Sequence, residues 1–76
     1  MQERRVNGMF DIYKFKYAVS KRGFTLKDVA AWLGINIATL YRKMNGISDF
    51  TRNEIFIICS RLHLSNEETF SIFFVT

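Results

Sequence analysis

Apolar residues recur along this chain at spacings of three and four, the period of helices that bury one face. Ile12, Phe15, Ala18 and Val19 open the series; Asp11 is a suitable N-cap before them and Gly23 closes the segment as a left-handed C-cap does. Thr25, with Asp28 three residues on, makes a weak capping box for a second helix striped by Leu26, Val29, Ala30 and Leu33. Gly34 follows at once, so that helix lasts barely two turns. Asn36 caps a third, from Ile37 to about Asn45, with Ile37, Leu40 and Met44 on one face and Gly46 as its stop. Thr51 and Glu54 form a full capping box for a fourth, whose inner stripe is Ile55, Ile58, Cys59 and Leu62. Ser65 and Glu68 form another for a fifth, running to about Phe74. The pattern predicts an all-α fold: a compact five-helix bundle over residues 11–76, behind a flexible N-terminal arm of residues 1–10 that carries Arg4 and Arg5.

The second and third helices carry the most information. Two short helices can cross steeply through a turn of three or four residues if a small side chain stands where they touch and a permissive one where the chain bends. Ala30 and Gly34 supply these, and Ile35 and Leu40 are placed to fill the angle. The predicted outer positions of the third helix are then Asn36, Ala38, Thr39, Tyr41, Arg42 and Asn45. Such a helix fits the major groove of DNA. Arg42 suits guanine O6 and N7, Asn45 or Asn36 suits adenine, and Ala38 suits a thymine methyl group. Tyr41 suits a base edge or a phosphate.

In 76 residues the chain has no proline, eight phenylalanines and 49% apolar residues, more than one small core readily hides. Phe56 and Ile57 lie off the inner stripe of the fourth helix. Together with Phe70, Phe73 and Phe74 they are candidates for an interface, with Phe73 or Phe74 partly exposed. Eleven Lys and Arg against seven Asp and Glu give a net charge of +4, which fits a polyanion without requiring one. Cys59 is the only cysteine, so no disulfide closes within the chain and a reducing, cytoplasmic setting is expected. It reads as a core thiol, His63 as a helix-end surface residue, and Trp32 as packed on the first helix or partly exposed. No apolar run is long enough to span a bilayer, and no membrane partner is expected. No nucleophile motif, metal-ligand set or glycine-rich phosphate loop is present, so neither an enzyme nor a cofactor is expected.

Gly23-Phe-Thr-Leu-Lys-Asp-Val-Ala30, Leu33-Gly-Ile-Asn36, Thr39-Leu-Tyr-Arg-Lys-Met-Asn-Gly46 and Cys59-Ser-Arg-Leu-His-Leu-Ser65 resemble the lambda-repressor/Cro-like helix-turn-helix family (XRE-type) over residues 11–66. The ending Glu67-Glu-Thr-Phe-Ser-Ile-Phe-Phe74 resembles small Cro-like or antirepressor proteins of bacteriophages of Gram-positive bacteria. The resemblance implies a transcriptional regulator of a bacterial host cell that binds a double-stranded, palindromic DNA operator as a homodimer. Its bases would be read by Asn36, Ile37, Ala38, Tyr41 and Arg42, with Asn45 beside them. Thr25, Lys27, Thr39 and Lys43 would stand at phosphates, Lys43 with its stem along the core. Many members carry glutamine where this chain has Leu26, so Lys27 or the backbone N–H groups of that helix end would substitute. The alternative is an antirepressor or protein-interaction module that binds a partner repressor protein through the same fold.

Overall fold

Every helix begins at a side chain that accepts a hydrogen bond from its own first turn. The computed structural model describes residues 10–74. In it Asp11 opens α1 (Ile12–Lys21), Thr25 opens α2 (Leu26–Leu33), Asn36 opens α3 (Ile37–Met44), Thr51 opens α4 (Arg52–Leu62) and Ser65 opens α5 (Asn66–Phe73). The caps of α2, α4 and α5 are reciprocal boxes, in which Asp28, Glu54 and Glu68 reach back to the N-cap backbone N–H at 2.8–2.9 Å. Each box satisfies two amides that the helix cannot. The described residues are all-helical, with these five helices and no strand. The expected arm of residues 1–10 lies outside them except for Phe10, which is packed on the core.

Four helices end alike. After α2, the N–H of Gly34 bonds to Ala31 O (3.1 Å) and that of Ile35 to Ala30 O (3.0 Å), the paired closure of a Schellman turn. Gly34 adopts φ +69° there, and its backbone takes α2 directly into the cap of α3. α1 and α3 close the same way at Gly23 and Gly46, and α4 at His63, whose N–H reaches Ser60 O while Leu64 N–H reaches Cys59 O. His63 holds φ +54° without being glycine.

The core is one cluster built on Phe15, Val19, Val29, Leu40, Ile58 and Leu62. Phe10, Phe15, Phe50 and Phe73 form an aromatic knot with every pair of ring centroids 5.0–6.3 Å apart. Phe73 is therefore core and not interface: it is 5% exposed, because α5 turns it inward beside Ile72. α1 is stitched to α5 at three levels, by Asp11 N–H to Ile72 O (2.7 Å), Lys14 Nζ to Ser71 Oγ (2.8 Å) and Arg22 to Glu68 (3.2 Å). α2 packs on both α3 and α4. Trp32 is half-buried, edge-on to Phe24 (4.9 Å) and beneath Arg61 of α4 (5.4 Å).

Candidate nucleic-acid interface

The α2–α3 junction positions the candidate surface. Ala30 is buried at the junction and Ile35, in the three-residue turn, is half-buried against the core. Leu40 and Met44 anchor the inner side of α3. At 100° per residue, Tyr41, Asn45, Ala38 and Arg42 then share an outward arc of about 100°. All four are exposed, Tyr41 by 44%, although its ring would gain from burial. Arg42 has no ion-pair partner among the described residues. A continuous stripe of one phenol, one guanidinium, one amide and one methyl group can donate, accept and make apolar contact along a single line.

The remaining expected contacts divide. Asn36 is exposed but its Oδ1 accepts from Ala38 N–H at 2.7 Å, so the amide already serves as the helix cap. This weakens its match to adenine, which needs both amide groups. Ile37 is half-buried against the core and Thr39 half-buried on the other flank, so both border the stripe. Thr25 is exposed, with Oγ1 accepting from Asp28 N–H, and its hydroxyl proton remains available to an anion. Lys27 is exposed and unpaired among the described residues.

Lys43 is turned inward. Its Nζ pairs with Glu54 Oε1 at 3.1 Å and donates to Asp49 O at 2.9 Å, with the two side chains only 11% and 14% exposed. It sits on the half of α3 that meets the first turn of α4. Its charge therefore fastens the helix instead of pointing to solvent. Burial raises the pKa of the Glu54 carboxyl, but the hydrogen bond from Thr51 N–H and the ammonium of Lys43 outweigh it and hold the group below its ordinary value. Glu68 is likewise lowered, first by the Ser65 N–H and then by Arg22.

Two surface features stand outside the expected set. Ile47 is exposed immediately after the α3 closure. Arg52 is exposed as the first residue of α4, where a cation opposes the helix dipole and an anion would relieve it. The sequence signal for Arg52 was its place directly after an N-cap.

Phe56, Phe70 and Phe74 are exposed, the last two in contact with ring centroids 5.7 Å apart, whereas Ile57 is half-buried. Cys59 Sγ and Thr69 Oγ1, 3.3 Å apart, bring α4 and α5 together within one helical turn of Phe56 and Phe70. Cys59 is half-buried and His63 exposed at its helix end. No helix among the described residues is long and apolar enough to cross a membrane. Comparison with protein-family models, with curated proteins and with solved structures finds no match to this chain.

Proposed function

We propose that this chain is a sequence-specific regulator that binds double-stranded DNA, with α2 and α3 acting as a helix-turn-helix and α3 lying in the major groove. The observation that carries the reading is the outward stripe Ala38, Tyr41, Arg42 and Asn45 on a helix pinned from behind by Leu40, Met44 and Lys43. Pinning matters because base readout requires donors and acceptors held in a fixed register. Arg42 reads a guanine edge, Asn45 an adenine, and Ala38 a thymine methyl group. Lys27, Thr25 and Arg52 hold phosphates and give the binding its salt dependence. Lys43 is reassigned from phosphate contact to support.

A second copy completes the reading. Isologous contact sets each surface against itself, so like charges meet unless the face is poor in charge. The exposed rings of Phe56, Phe70 and Phe74 offer apolar area for such self-contact, with Arg52 and Glu67 one helical turn away at its margin, and a dimer through them would set two α3 helices about 34 Å apart on one side of a palindromic operator. The same exposed rings favour one other occupant, a partner repressor protein, which would make the chain an antirepressor.

Selection of bound duplexes from a random pool tests the proposal. A palindromic consensus is expected, and Arg42→Ala should lose about 1–3 kcal/mol on it while relaxing one base position in each half-site. Failure to enrich any duplex at low salt, with a monomeric chain in solution, would sink the reading and leave the antirepressor in its place.

A further inference from the structure

The outer side of α1 has a character unlike the rest of the surface. At helical spacing, Lys16, Ser20, Tyr13, Tyr17, Lys21 and Lys14 follow one another around the exposed half of the helix. α1 itself carries no acidic side chain among them. Tyr13 is 80% and Tyr17 64% exposed, and Lys21 Nζ lies 5.6 Å from the centre of the Tyr17 ring. Lys14 is already tied to Ser71 of α5, which leaves Lys16 and Lys21 as the cations most able to reach outward. An open groove of about 500 Å³ runs along this side. Lys16, Tyr17 and Ser20 form one wall, and Phe24, Thr25 and Leu26 at the entry to α2 form the other. Two acids border the face, both already engaged: Glu68 of α5, beside Lys14, Tyr17 and Lys21, is paired with Arg22 at 3.2 Å, and Asp28 accepts from Thr25 N–H at 2.8 Å.

We infer that this face is a second DNA contact, a track for the phosphate backbone flanking the site that α3 reads. The inference rests on the DNA-binding reading proposed above. Charge selects the partner: three lysines, bordered only by carboxylates that are already engaged, repel a second copy of the same face and favour a polyanion. The centre of a protein–protein interface is depleted in lysine, which counts against a protein here. Phenol and hydroxyl groups beside the ammonium groups donate to phosphate oxygens. Continuity selects duplex over single strand, because Thr25, at the far wall, is one of the phosphate contacts assigned to the α2 entry. A backbone held there can continue along the groove past Ser20 and Lys16. This contact carries no base specificity and lengthens the footprint.

The test compares two lengths of one duplex: the site enriched from the random pool, with ten flanking base pairs on either side, or trimmed to the enriched positions. Lys16→Ala/Lys21→Ala changes two exposed side chains, and its circular dichroism and melting should match the parent. On the long duplex it should lower affinity roughly tenfold at 0.1 M salt and reduce the slope of log affinity against log salt by about 1.8. On the trimmed duplex its affinity should equal that of the parent, and base preference should be unchanged on both. Equal affinity of parent and variant on the long duplex overturns the inference, as does a loss confined to a single-stranded probe of the same sequence. Arg42→Ala separates the two readings. If it loses specificity at both lengths while the α1 variant matches the parent, the α3 reading stands and the flanking contact falls. If Arg42→Ala leaves specificity intact while the α1 variant loses affinity on the long duplex, the α3 assignment falls instead.

Discussion

Replacing Lys43 by methionine keeps most of the apolar stem and removes the ammonium group, and with it the ion pair to Glu54 and the hydrogen bond to Asp49 O. Pairs on an open surface contribute about 0.2–1 kcal/mol, whereas removing one partner from a fully buried pair costs about 3–5 kcal/mol. With side chains 11% and 14% exposed and both residues half-buried, this pair lies between the two limits. Glu54 keeps the Thr51 N–H at 2.8 Å after the change, which softens the loss. Lys43→Met should therefore cost about 2 kcal/mol and lower Tm by roughly 10 °C for a domain of this size. Glu54→Gln should cost a similar amount, and the double variant should be less destabilised than the sum, because both remove one interaction. The pH dependence has a definite sign. The folded Glu54 carboxyl titrates below its unfolded value, so the pair contributes fully above the ordinary carboxylate range and is lost as pH falls through the lowered folded value. Thermal melts between pH 7 and 3 should show acid destabilisation reduced in either single variant. Glu68, also lowered, contributes with the same sign. DNA titrations give an independent check. If Lys43 supports α3 from within, Lys43→Met weakens binding without changing the salt slope, whereas a phosphate contact would take about 0.9 from the slope. A Tm shift below about 2 °C, strict additivity of the two substitutions, or a reduced salt slope would each refute the reasoning.

Four further outcomes are expected. His63→Gly should raise stability by about 1 kcal/mol in urea denaturation, since the C-terminal turn of α4 holds a side chain at φ +54°; a loss would mean that the imidazole makes an energetic contribution of its own. Gly34→Ala should cost about 1–2 kcal/mol by the same assay. No atom lies within 4 Å of the added methyl group, so the cost is backbone strain at φ +69° alone, and a much larger loss would contradict that account. Phe73→Ala should cost about 3–5 kcal/mol. Phe56→Ser/Phe70→Ser should leave the melting of the dilute protein nearly unchanged while lowering the mass seen by sedimentation; an unchanged dimer would remove these rings from the interface.

Local signals set the helices. Asp11, Thr25, Asn36, Thr51 and Ser65 each start the helix that their short polar side chains predict, and Gly23, Gly34 and Gly46 each end one. These interactions close within six residues of chain, so nearest neighbours suffice to read them. The outward stripe of α3 was equally legible, because Ile37, Leu40 and Met44 declare its inner side. The end of α4 was less so: no glycine marks it, and His63 takes the left-handed position because the helix must turn before Leu64 can be half-buried.

What the amino-acid order left open was decided by contacts between residues far apart in the chain. Lys43 had the look of a solvent-facing cation; only the arrival of Glu54, eleven residues later, draws it inward. Phe70, Phe73 and Phe74 are chemically identical, yet the knot of Phe10, Phe15 and Phe50 captures one and leaves two outside. A periodic pattern specifies which faces of a helix are apolar. Where two apolar faces compete, or a charge can reach either water or a carboxylate, the neighbour that occupies the space makes the choice, and that neighbour exists only once the helices have packed.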